Sequence, residues 1–315
     1  MSQISFIFPG QGSQFVGMGR ELAAAFPQAR EVFEEVNEAL GEDLSALMWS
    51  GDADTLTLTS NAQPALMAHS LAATRSLEGQ FGITVETAAF VAGHSLGEYS
   101  ALAAAGAFDI ADAARLLRIR GNAMQSAVPA GEGAMAALLG AELNQAEAAC
   151  KAGRAEGVCE IANDNAPGQL VISGATAAVE MACAAAKDLG VKKAVPLAVS
   201  APFHCSLMEP AAEAMAAGLA ATPPKTPRVP VVANVSAAPT QDPDLITRQL
   251  VAQVKGRVRW TETVQFLVSQ GIRETVEIGP GKVLTVMQRR IDKGLIGHCL
   301  NTPHDLEAFA AHIKG

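Results

Sequence analysis

The sequence predicts an α/β protein in which a large, mostly parallel sheet is interrupted by a smaller unit with a sheet of its own. Short apolar runs typical of buried strands alternate with helical patterns at both ends of the chain. In the middle of the chain two strands follow each other directly. The 315 residues also exceed the roughly 250–300 residues at which one hydrophobic core stops growing. We therefore expect a large domain of residues 1–129 and 199–315 and a small domain of residues 130–198.

The first part of the large domain alternates strands and helices. Apolar runs at Ile4–Phe8 and Ala88–Ala92 predict two buried strands. Asp109 opens the last helical pattern of this part and is a candidate N-cap, because its side chain could accept from a free amide of the first turn. The predicted helices are Gln28–Leu40, Asn61–Phe81, Gly97–Ala105 and Asp109–Ala127.

The small domain has the order β-α-β-β-α-β. Its predicted strands are Ala134–Leu139, Val158–Ala162, Leu170–Ser173 and Val191–Val199. Its predicted helices are Glu142–Gly153 and Ala175–Leu189, the second of which is followed by Gly190. This order is the split arrangement of a ferredoxin-like domain.

The alternating pattern resumes after the small domain and completes the large one. A proline-rich connector at residues 222–230 is expected to be stiff. The strands predicted in this part are Val229–Val235 and Thr275–Ile278. The predicted helices are Leu245–Val254, Glu262–Gln270 and Val283–Lys293.

The composition argues against several classes of partner and site. A net charge of −9 argues against nucleic acid, because a polyanion requires a basic surface. Five cysteines without a C-x-x-C pair indicate neither a disulfide framework nor a zinc site. No apolar run approaches the ~20 residues that span a bilayer, and Met1–Phe8 lacks the basic start of a signal peptide. Gly10 and Gly12 do not extend to a dinucleotide loop, since Phe15 occupies the third glycine position. We expect a cytoplasmic protein without membrane segment, metal or cofactor.

The segment Gly93-His-Ser-Leu-Gly97 has the G-x-S-x-G pattern of a nucleophile elbow. It follows a predicted strand and precedes a predicted helix, which is the context that gives this pattern its meaning. The glycines leave room where backbones crowd, and Ser95 would stand near a helix N-terminus whose amides can stabilise an oxyanion. The alternative is a glycine-rich turn with an ordinary serine.

A serine hydroxyl needs a general base at neutral pH, and His204 is the candidate. It follows a predicted strand in the loop Val199-Ser-Ala-Pro-Phe-His-Cys-Ser206, although pattern alone leaves an ordinary loop histidine as the alternative. His94 is next to Ser95 in the elbow, so its side chain should leave in another direction and be structural, or at most contact substrate. Cys205 is disfavoured as a nucleophile paired with His204, since neighbours in an extended segment point to opposite sides.

Five motifs occur in this order: Phe8-Pro-Gly-Gln-Gly-Ser-Gln14, Gly93-His-Ser-Leu-Gly-Glu-Tyr-Ser-Ala-Leu102, Arg120-Gly121, Ser200-Ala-Pro-Phe-His204 and Glu277-Ile-Gly-Pro-Gly281. With them the chain resembles the malonyl-CoA:acyl carrier protein transacylases of fatty-acid synthesis and the acyltransferase domains of polyketide synthases. The resemblance covers nearly the whole chain. It implies an α/β-hydrolase-like large domain with a ferredoxin-like insertion, which agrees with the pattern of strands and helices.

The resemblance also implies a set of roles. Ser95 is the nucleophile and His204 the base, and the backbone carbonyl of Gln253 holds the histidine without an acidic third member. The backbone amides of Gln11 and Leu96 form the oxyanion hole. Malonyl-CoA is then a substrate rather than a cofactor, and acyl carrier protein is the partner that accepts the malonyl group.

Arg120 lies within the apolar stripe of the predicted helix Asp109–Ala127, between Leu117 and Met124. An inward guanidinium requires a partner, because a buried unpaired charge is costly. From position alone, a structural ion pair or a side chain that reaches solvent is a sufficient explanation. The resemblance implies instead that Arg120 holds the free carboxylate of malonyl, for which its planar fork is suited. Phe203 resembles the bulky residue of malonyl-specific relatives and joins Arg120 and His94 as a candidate substrate contact.

Two other functions remain open at this point. A serine esterase or thioesterase would use the same elbow with water as acceptor, and an acid would then be expected beside the histidine. A non-catalytic docking module of a larger synthase is the third possibility. For the carrier, the candidate contacts could equally be solvated surface charges: Lys192, Lys193, Arg289 and Arg290.

Overall fold

The computed structural model describes residues 3–199 and 201–315. Met1, Ser2 and the motif residue Ser200 lie outside the described residues. The strands form two separate sheets. In chain order they are β1 (Ile4–Phe8), β2 (Phe90–Gly93), β3 (Gly133–Leu139), β4 (Cys159–Ala166), β5 (Gln169–Ala175), β6 (Lys193–Pro196), β7 (Val231–Val232), β8 (Pro239–Thr240), β9 (Glu274–Ile278) and β10 (Ile296–Leu300).

The large sheet has the strand order β10-β9-β1-β2-β7-β8. Neighbouring strands from β10 to β7 run parallel, and the short edge strand β8 is antiparallel, so the predicted mostly parallel sheet is confirmed. The central strands β1 and β2 pair with Phe8 opposite Gly93. Their carboxyl ends therefore meet at one edge of the sheet, which is where open α/β sheets bind ligands.

The helices surround this sheet and flank the smaller one. The longest helix, α5, is buried over most of its length and belongs to the main core together with residues of α2 and α7. Within residues 3–199 and 201–315, no helix combines the length and the apolar character that a membrane crossing needs. In chain order the helices are α1 (Arg20–Ala25), α2 (Pro27–Leu40), α3 (Leu44–Ser50), α4 (Ala53–Thr57), α5 (Thr59–Phe81), α6 (Gly97–Ala104), α7 (Ile110–Ser126), α8 (Leu143–Gly153), α9 (Thr176–Asp188), α10 (Glu209–Ala221), α11 (Pro243–Lys255), α12 (Trp260–Ser269), α13 (Val283–Ile291) and α14 (Pro303–Lys314).

The small sheet is antiparallel, with the order β4-β5-β3-β6. Helices α8 and α9 pack against it and enclose a separate core, so the predicted β-α-β-β-α-β unit and the fold class are confirmed. The division at residues 129/130 and 198/199 stays a prediction. Strand β4 of the small sheet contacts the start of α12, where the Asp164 amide donates to Val258 O at 2.9 Å and Thr261 Oγ1 donates to Asp164 Oδ1 at 2.6 Å.

Several predicted strands differ in extent from the structure. Val191–Val199 is reduced to β6 and Val229–Val235 to β7. A proline stands at the end of β6 and another just before β7, and proline offers no amide to a sheet ladder. Val158–Ala162 is extended to the eight-residue β4, whose pairing with β5 contains two register shifts.

The N-cap residue of α7 is Asp109, as the sequence predicts. Its side chain, however, makes no capping hydrogen bond. Its carboxylate accepts from Lys225 Nζ at 3.0 and 2.9 Å instead. The first-turn amide of Ala111 donates to Glu35 Oε1 of α2 at 3.2 Å. A carboxylate from a neighbouring helix thus satisfies the amide that a local cap would serve.

Candidate active site

The turn between β2 and α6 holds Ser95 in the left-handed backbone region, with φ of 54°. This region is unfavourable for a residue with a side chain and is tolerated where the surroundings impose it. The two glycines of the motif allow the turn to pack. A Cβ added to Gly93 would lie 1.9 Å from Gly97 O, and one added to Gly97 would lie 2.3 Å from Phe8 O. The G-x-S-x-G spacing is therefore a steric requirement of this turn.

Asn234 clamps the elbow from the segment that follows β7. Its Oδ1 accepts from the Ser95 amide at 2.7 Å, and its Nδ2 donates to Gly93 O at 2.7 Å. The side chain is fully buried. Sequence reasoning missed Asn234, although a polar residue within the apolar segment Val229–Val235 was a usable signal, because buried polar groups must find partners.

The structure brings Ser95 and His204 together, with Ser95 Oγ 2.7 Å from His204 Nε2. His204 Nδ1 lies 2.8 Å from Gln253 O and 3.2 Å from Gly256 O. Carbonyl oxygens only accept, so Nδ1 carries the proton and Nε2 is free to accept from the serine. The hydrogen bonds of His204 among the described residues include no carboxylate. His204 also has a positive φ, 58°, so both members of the pair are held in strained conformations.

Burial and, after it, the charge of Arg120 lower the pKa of His204 to about 3. A lowered pKa means that the imidazole is neutral throughout the neutral pH range. A neutral imidazole with a free Nε2 can take the serine proton when the hydroxyl attacks.

Arg120 is buried beside the serine, with 1% of its surface exposed. Its Nη1 donates to Gln63 Oε1 at 2.8 Å, and its Nη2 donates to Gln253 Oε1 at 2.7 Å and lies 3.2 Å from Ser95 Oγ. Its Nε has no hydrogen-bond partner in the part of the chain that the structure describes. The structural ion pair considered from the sequence does not occur among the described residues, since no carboxylate lies within ion-pair distance of this guanidinium. The charge is satisfied only by neutral oxygens and remains available to an anion.

Gln253 connects the base to the arginine. Its backbone carbonyl accepts from His204, and its side-chain oxygen accepts from Arg120. Its Nε2 donates to Ser95 O at 2.9 Å and to Glu98 Oε2 at 2.8 Å. Glu98 is itself buried, which raises its pKa to about 7. The role of the Gln253 side chain was not foreseen, because the resemblance points only to its carbonyl.

The amides of Gln11 and Leu96, the expected oxyanion hole, lie on adjacent loops after β1 and β2. Within residues 3–199 and 201–315 neither amide donates to a protein acceptor. Both donors are thus free for a ligand oxygen, as an oxyanion hole requires. The Gln11 side chain is engaged separately, because its Oε1 accepts from Thr59 Oγ1 at 2.9 Å.

A cavity of about 360 Å³ opens above Ser95 and is lined by the loops that follow β1 and β2, by the small sheet and by α13. This size is within the range of small-molecule sites. Phe203 lines it and is buried. His94 also lines it, but its Nε2 lies 2.8 Å from Asn165 Oδ1, and its ring packs edge-on against Trp260. His94 is therefore held in a wall of the cavity, as the structural interpretation expected, while its ring remains accessible to substrate.

A cluster of side chains outside the cavity has the residue types of a metal site. The side chains of Glu274, His298 and His312 have ligand atoms within 4.8 Å of one another. Both histidine Nε2 atoms lie 2.8 Å from the same carboxylate oxygen, and none of the three residues lines the cavity. The five cysteines are free.

Comparison with known proteins places this geometry in a family. The family model described as acyl transferase domain matches residues 5–295. The chain belongs to the acyl transferase domain family. This acyl transferase is 46% identical over 315 residues, 100% of its length and 98% of the other protein's, to the malonyl CoA-acyl carrier protein transacylase of Bacillus subtilis (strain 168).

Solved structures give the same picture for this acyl transferase. It matches an acyl-carrier-protein-S-malonyltransferase from Bartonella henselae with a TM-score of 0.96 and 53% identity over 99% of each chain. It also matches a malonyl-transacylase in complex with a type II PKS acyl-carrier protein, with a TM-score of 0.94 and 43% identity over 98% of this chain and 99% of that one.

Proposed function

We propose that this acyl transferase moves a malonyl group from coenzyme A to the phosphopantetheine thiol of an acyl carrier protein, through a malonyl ester on Ser95. One observation carries the proposal. Ser95 Oγ lies 2.7 Å from a neutral imidazole and 3.2 Å from a buried guanidinium that has no anionic partner among the described residues. The names of the relatives above agree with this activity.

In the first half-reaction His204 Nε2 takes the proton of Ser95 as Oγ attacks the thioester carbon. The carbonyl oxygen becomes an oxyanion and receives the free amides of Gln11 and Leu96. When the intermediate collapses, the carbon–sulfur bond breaks and the proton on His204 passes to the departing thiolate of coenzyme A. The Gln253 and Gly256 carbonyls stabilise the transient imidazolium, because both face Nδ1–H.

The position of Arg120 favours malonyl over other acyl groups. In malonyl a single methylene separates the free carboxylate from the carbon that Ser95 attacks. Nη2 is 3.2 Å from Ser95 Oγ, so the fork stands beside the attacked carbon. Acetyl would leave this desolvated charge unpaired, and sites built on polar pairing reject analogues that lack the partner.

The second half-reaction repeats the chemistry with a different thiol. His204 deprotonates the phosphopantetheine thiol, which attacks the malonyl ester, and the proton returns to Ser95 as its oxygen departs. The chemistry requires neither metal nor cofactor, since imidazole, amides and guanidinium supply proton transfer and charge stabilisation. Two half-reactions on one serine give ping-pong kinetics.

Helix α13 is a suitable surface for an acidic carrier. Its first turns line the cavity, and it exposes both apolar and basic side chains, among them Val286, which is 52% exposed. Arg290 Nη1 lies 3.3 Å from Gln169 Oε1, so the basic end of α13 contacts the small sheet. Acidic residues of a carrier would be attracted to this side of the cavity mouth. The proposed contacts are those named from the sequence: Lys192, Lys193, Arg289 and Arg290.

A thioesterase is less well supported. Hydrolytic triads orient the histidine with a carboxylate, whereas His204 is held by two carbonyls. Malonyl transfer also accounts for the buried Arg120 and for the basic residues proposed to contact the carrier. For the location, five free cysteines agree with the reducing cytoplasm that we propose. Cell fractionation would test that location.

Mass spectrometry of the intact protein after mixing with malonyl-CoA tests the activity. We expect a malonyl adduct that disappears when holo carrier protein is added and does not form in Ser95→Ala. Ser100→Ala is the matched control, because Ser100 is a buried serine of α6 whose Oγ makes no hydrogen bond within the described residues. Malonyl-CoA consumption without carrier, at the rate seen with carrier, would show a thioesterase instead.

A further inference from the structure

Glu98 is the buried acid of the site that the proposed mechanism does not use. It lies in the first turn of α6, three residues after the nucleophile, and is 2% exposed. Its Oε2 accepts from Gln253 Nε2 at 2.8 Å and from the Asn234 amide at 3.1 Å. It therefore contacts the two residues that hold the base and the elbow. A buried carboxylate is costly unless its charge is compensated.

The compensating charge is Arg120, which Glu98 reaches through the Gln253 side chain. Gln253 Nε2 donates to Glu98 while Gln253 Oε1 accepts from Arg120 Nη2 at 2.7 Å. Charges separated by one amide still interact strongly when both are buried. In the empty site, Arg120 and Glu98 are thus a cation and an anion bridged by a neutral residue.

We propose that Glu98 is a positioning residue that acts as the resting counter-charge of Arg120 and is protonated when a substrate carboxylate occupies the fork. The inference rests on the proposed function, because it requires an acyl group with a free carboxylate. With that carboxylate bound, an ionised Glu98 would place two anions around one cation in a dry site. Uptake of one proton by Glu98 restores the neutral balance, and the protonated acid can still accept from Gln253 and Asn234 through its carbonyl oxygen.

The proposed protonation of Glu98 requires that its pKa lie in an accessible pH range. Burial raises the pKa of Glu98 to about 7, against the opposing effects of Gln253, Asn234 and Arg120. The charged and titratable groups that face Glu98 are Arg120 from α7 and Tyr99 from its own helix, whereas Gln253 from α11 and Asn234 from the β7 side are neutral. Burial raises the pKa of Tyr99 above its usual value of 10. The pKa of His204, about 3, lies far below neutral pH. Among Glu98, Tyr99 and His204, Glu98 is thus the group whose pKa lies near neutrality.

The sign of the pH dependence follows from this exchange. Malonyl binding favours protonated Glu98, so the apparent kcat/KM for malonyl-CoA should fall as pH rises through the pKa of Glu98. We expect a loss of about tenfold between roughly pH 6 and pH 9, from the interaction of two partly screened anions. Acetyl-CoA carries the same coenzyme groups but no carboxylate, so its kcat/KM should lack this fall.

The test is the second-order rate constant of Ser95 acylation, measured in single-turnover mixing at concentrations well below saturation, across this pH range, with malonyl-CoA and acetyl-CoA. We expect Glu98→Gln, which keeps the side-chain shape, to abolish the fall for malonyl and to exceed the wild-type rate constant at the alkaline end. Glu277→Gln is the matched control, because Glu277 is another buried acid with a raised pKa, bound to the amides of Leu284 and Thr285. Whatever its absolute rate, it should keep the wild-type pH slope.

Four outcomes would overturn the inference: no pH slope in the wild-type protein, an unchanged slope in Glu98→Gln, a uniform loss at every pH in that variant, or the same slope for acetyl-CoA. A uniform loss would indicate a purely structural role, and thermal unfolding of the variant would reveal its extent. Failure of the proposed function looks different, because the wild-type protein would then form no malonyl-serine at any pH. A malonyl-serine that forms with a pH-independent second-order rate constant contradicts only the role of Glu98.

Discussion

Replacement of Arg120 by alanine should convert a malonyl-selective site into an unselective one. The fork has Nη1 and Nη2 aimed into the site and held by Gln63 and Gln253, so a malonyl carboxylate can accept two charge-assisted hydrogen bonds. At about 1.5–3 kcal/mol each, these bonds contribute about 3–6 kcal/mol. Since about 1.4 kcal/mol is tenfold in rate, kcat/KM for malonyl-CoA should fall by about 10²–10⁴-fold. The value for acetyl-CoA should stay the same or rise, because the unpaired charge that acetyl leaves is gone.

The assay is the rate of Ser95 acylation by each coenzyme A ester, measured by mass spectrometry of quenched samples. It should be run near pH 8, because Arg120 lowers the pKa of His204, so its removal raises that pKa and moves protonation of the base to higher pH. Arg118→Ala is the matched control, since Arg118 lies on the same helix but pairs with Asn61 and Glu42. An equal loss for malonyl and acetyl, with normal folding, would refute the assignment of Arg120 to the carboxylate.

The other predictions concern the base, the clamp and the carrier surface. Because the pKa of His204 is lowered to about 3, the imidazole stays neutral as pH falls. The acylation rate at saturating malonyl-CoA should therefore change little from about pH 8 to about pH 5, and a decline centred near 6.5 in quenched-flow data would contradict this. Asn234→Ala removes two buried hydrogen bonds at the elbow, so it should slow acylation by malonyl-CoA and acetyl-CoA alike, by about tenfold or more. A change in selectivity instead would show that Asn234 acts on substrate. Charge reversal at the four proposed carrier contacts of this chain should slow transfer to the carrier more than it slows Ser95 acylation. It should also lower the salt dependence of transfer. An unchanged transfer rate would remove these residues from the interface: Lys192, Lys193, Arg289 and Arg290.

The fold was predictable wherever the pattern of apolar residues was long and uninterrupted. The buried strand β1 and helices such as α2 and α5 lie close to their predicted bounds. The pattern was weak where alanine dominates, as in α10, and where strands are short or lie at an edge, as in β10. Neither was predicted. Alanine fits every face of a helix, and an edge strand is exposed in part, so neither shows a clear period.

The site was predictable to the extent that single positions carry its chemistry. Ser95 stands in a motif that the turn itself demands, and the position of Arg120 in an apolar stripe marked it as unusual. The supporting polar residues could not be found in this way. Gln63, Asn234 and the Gln253 side chain act through partners about 60 to 160 positions away in the sequence. Only the folded chain shows that these separate amides surround one serine.

The neutral character of Gln253 explains how one site holds both a base and an anion receptor. Its carbonyl orients His204 and its side chain orients Arg120, so the same residue serves a group that must be neutral and one that must be charged. A carboxylate at this position would pair permanently with Arg120 and occupy the fork that a substrate needs. It would also raise the pKa of the nearby imidazole by favouring its charged form. An amide holds both groups by hydrogen bonds without adding charge, and the acid that compensates the guanidinium is placed one residue further away, at Glu98, where it can change its protonation state.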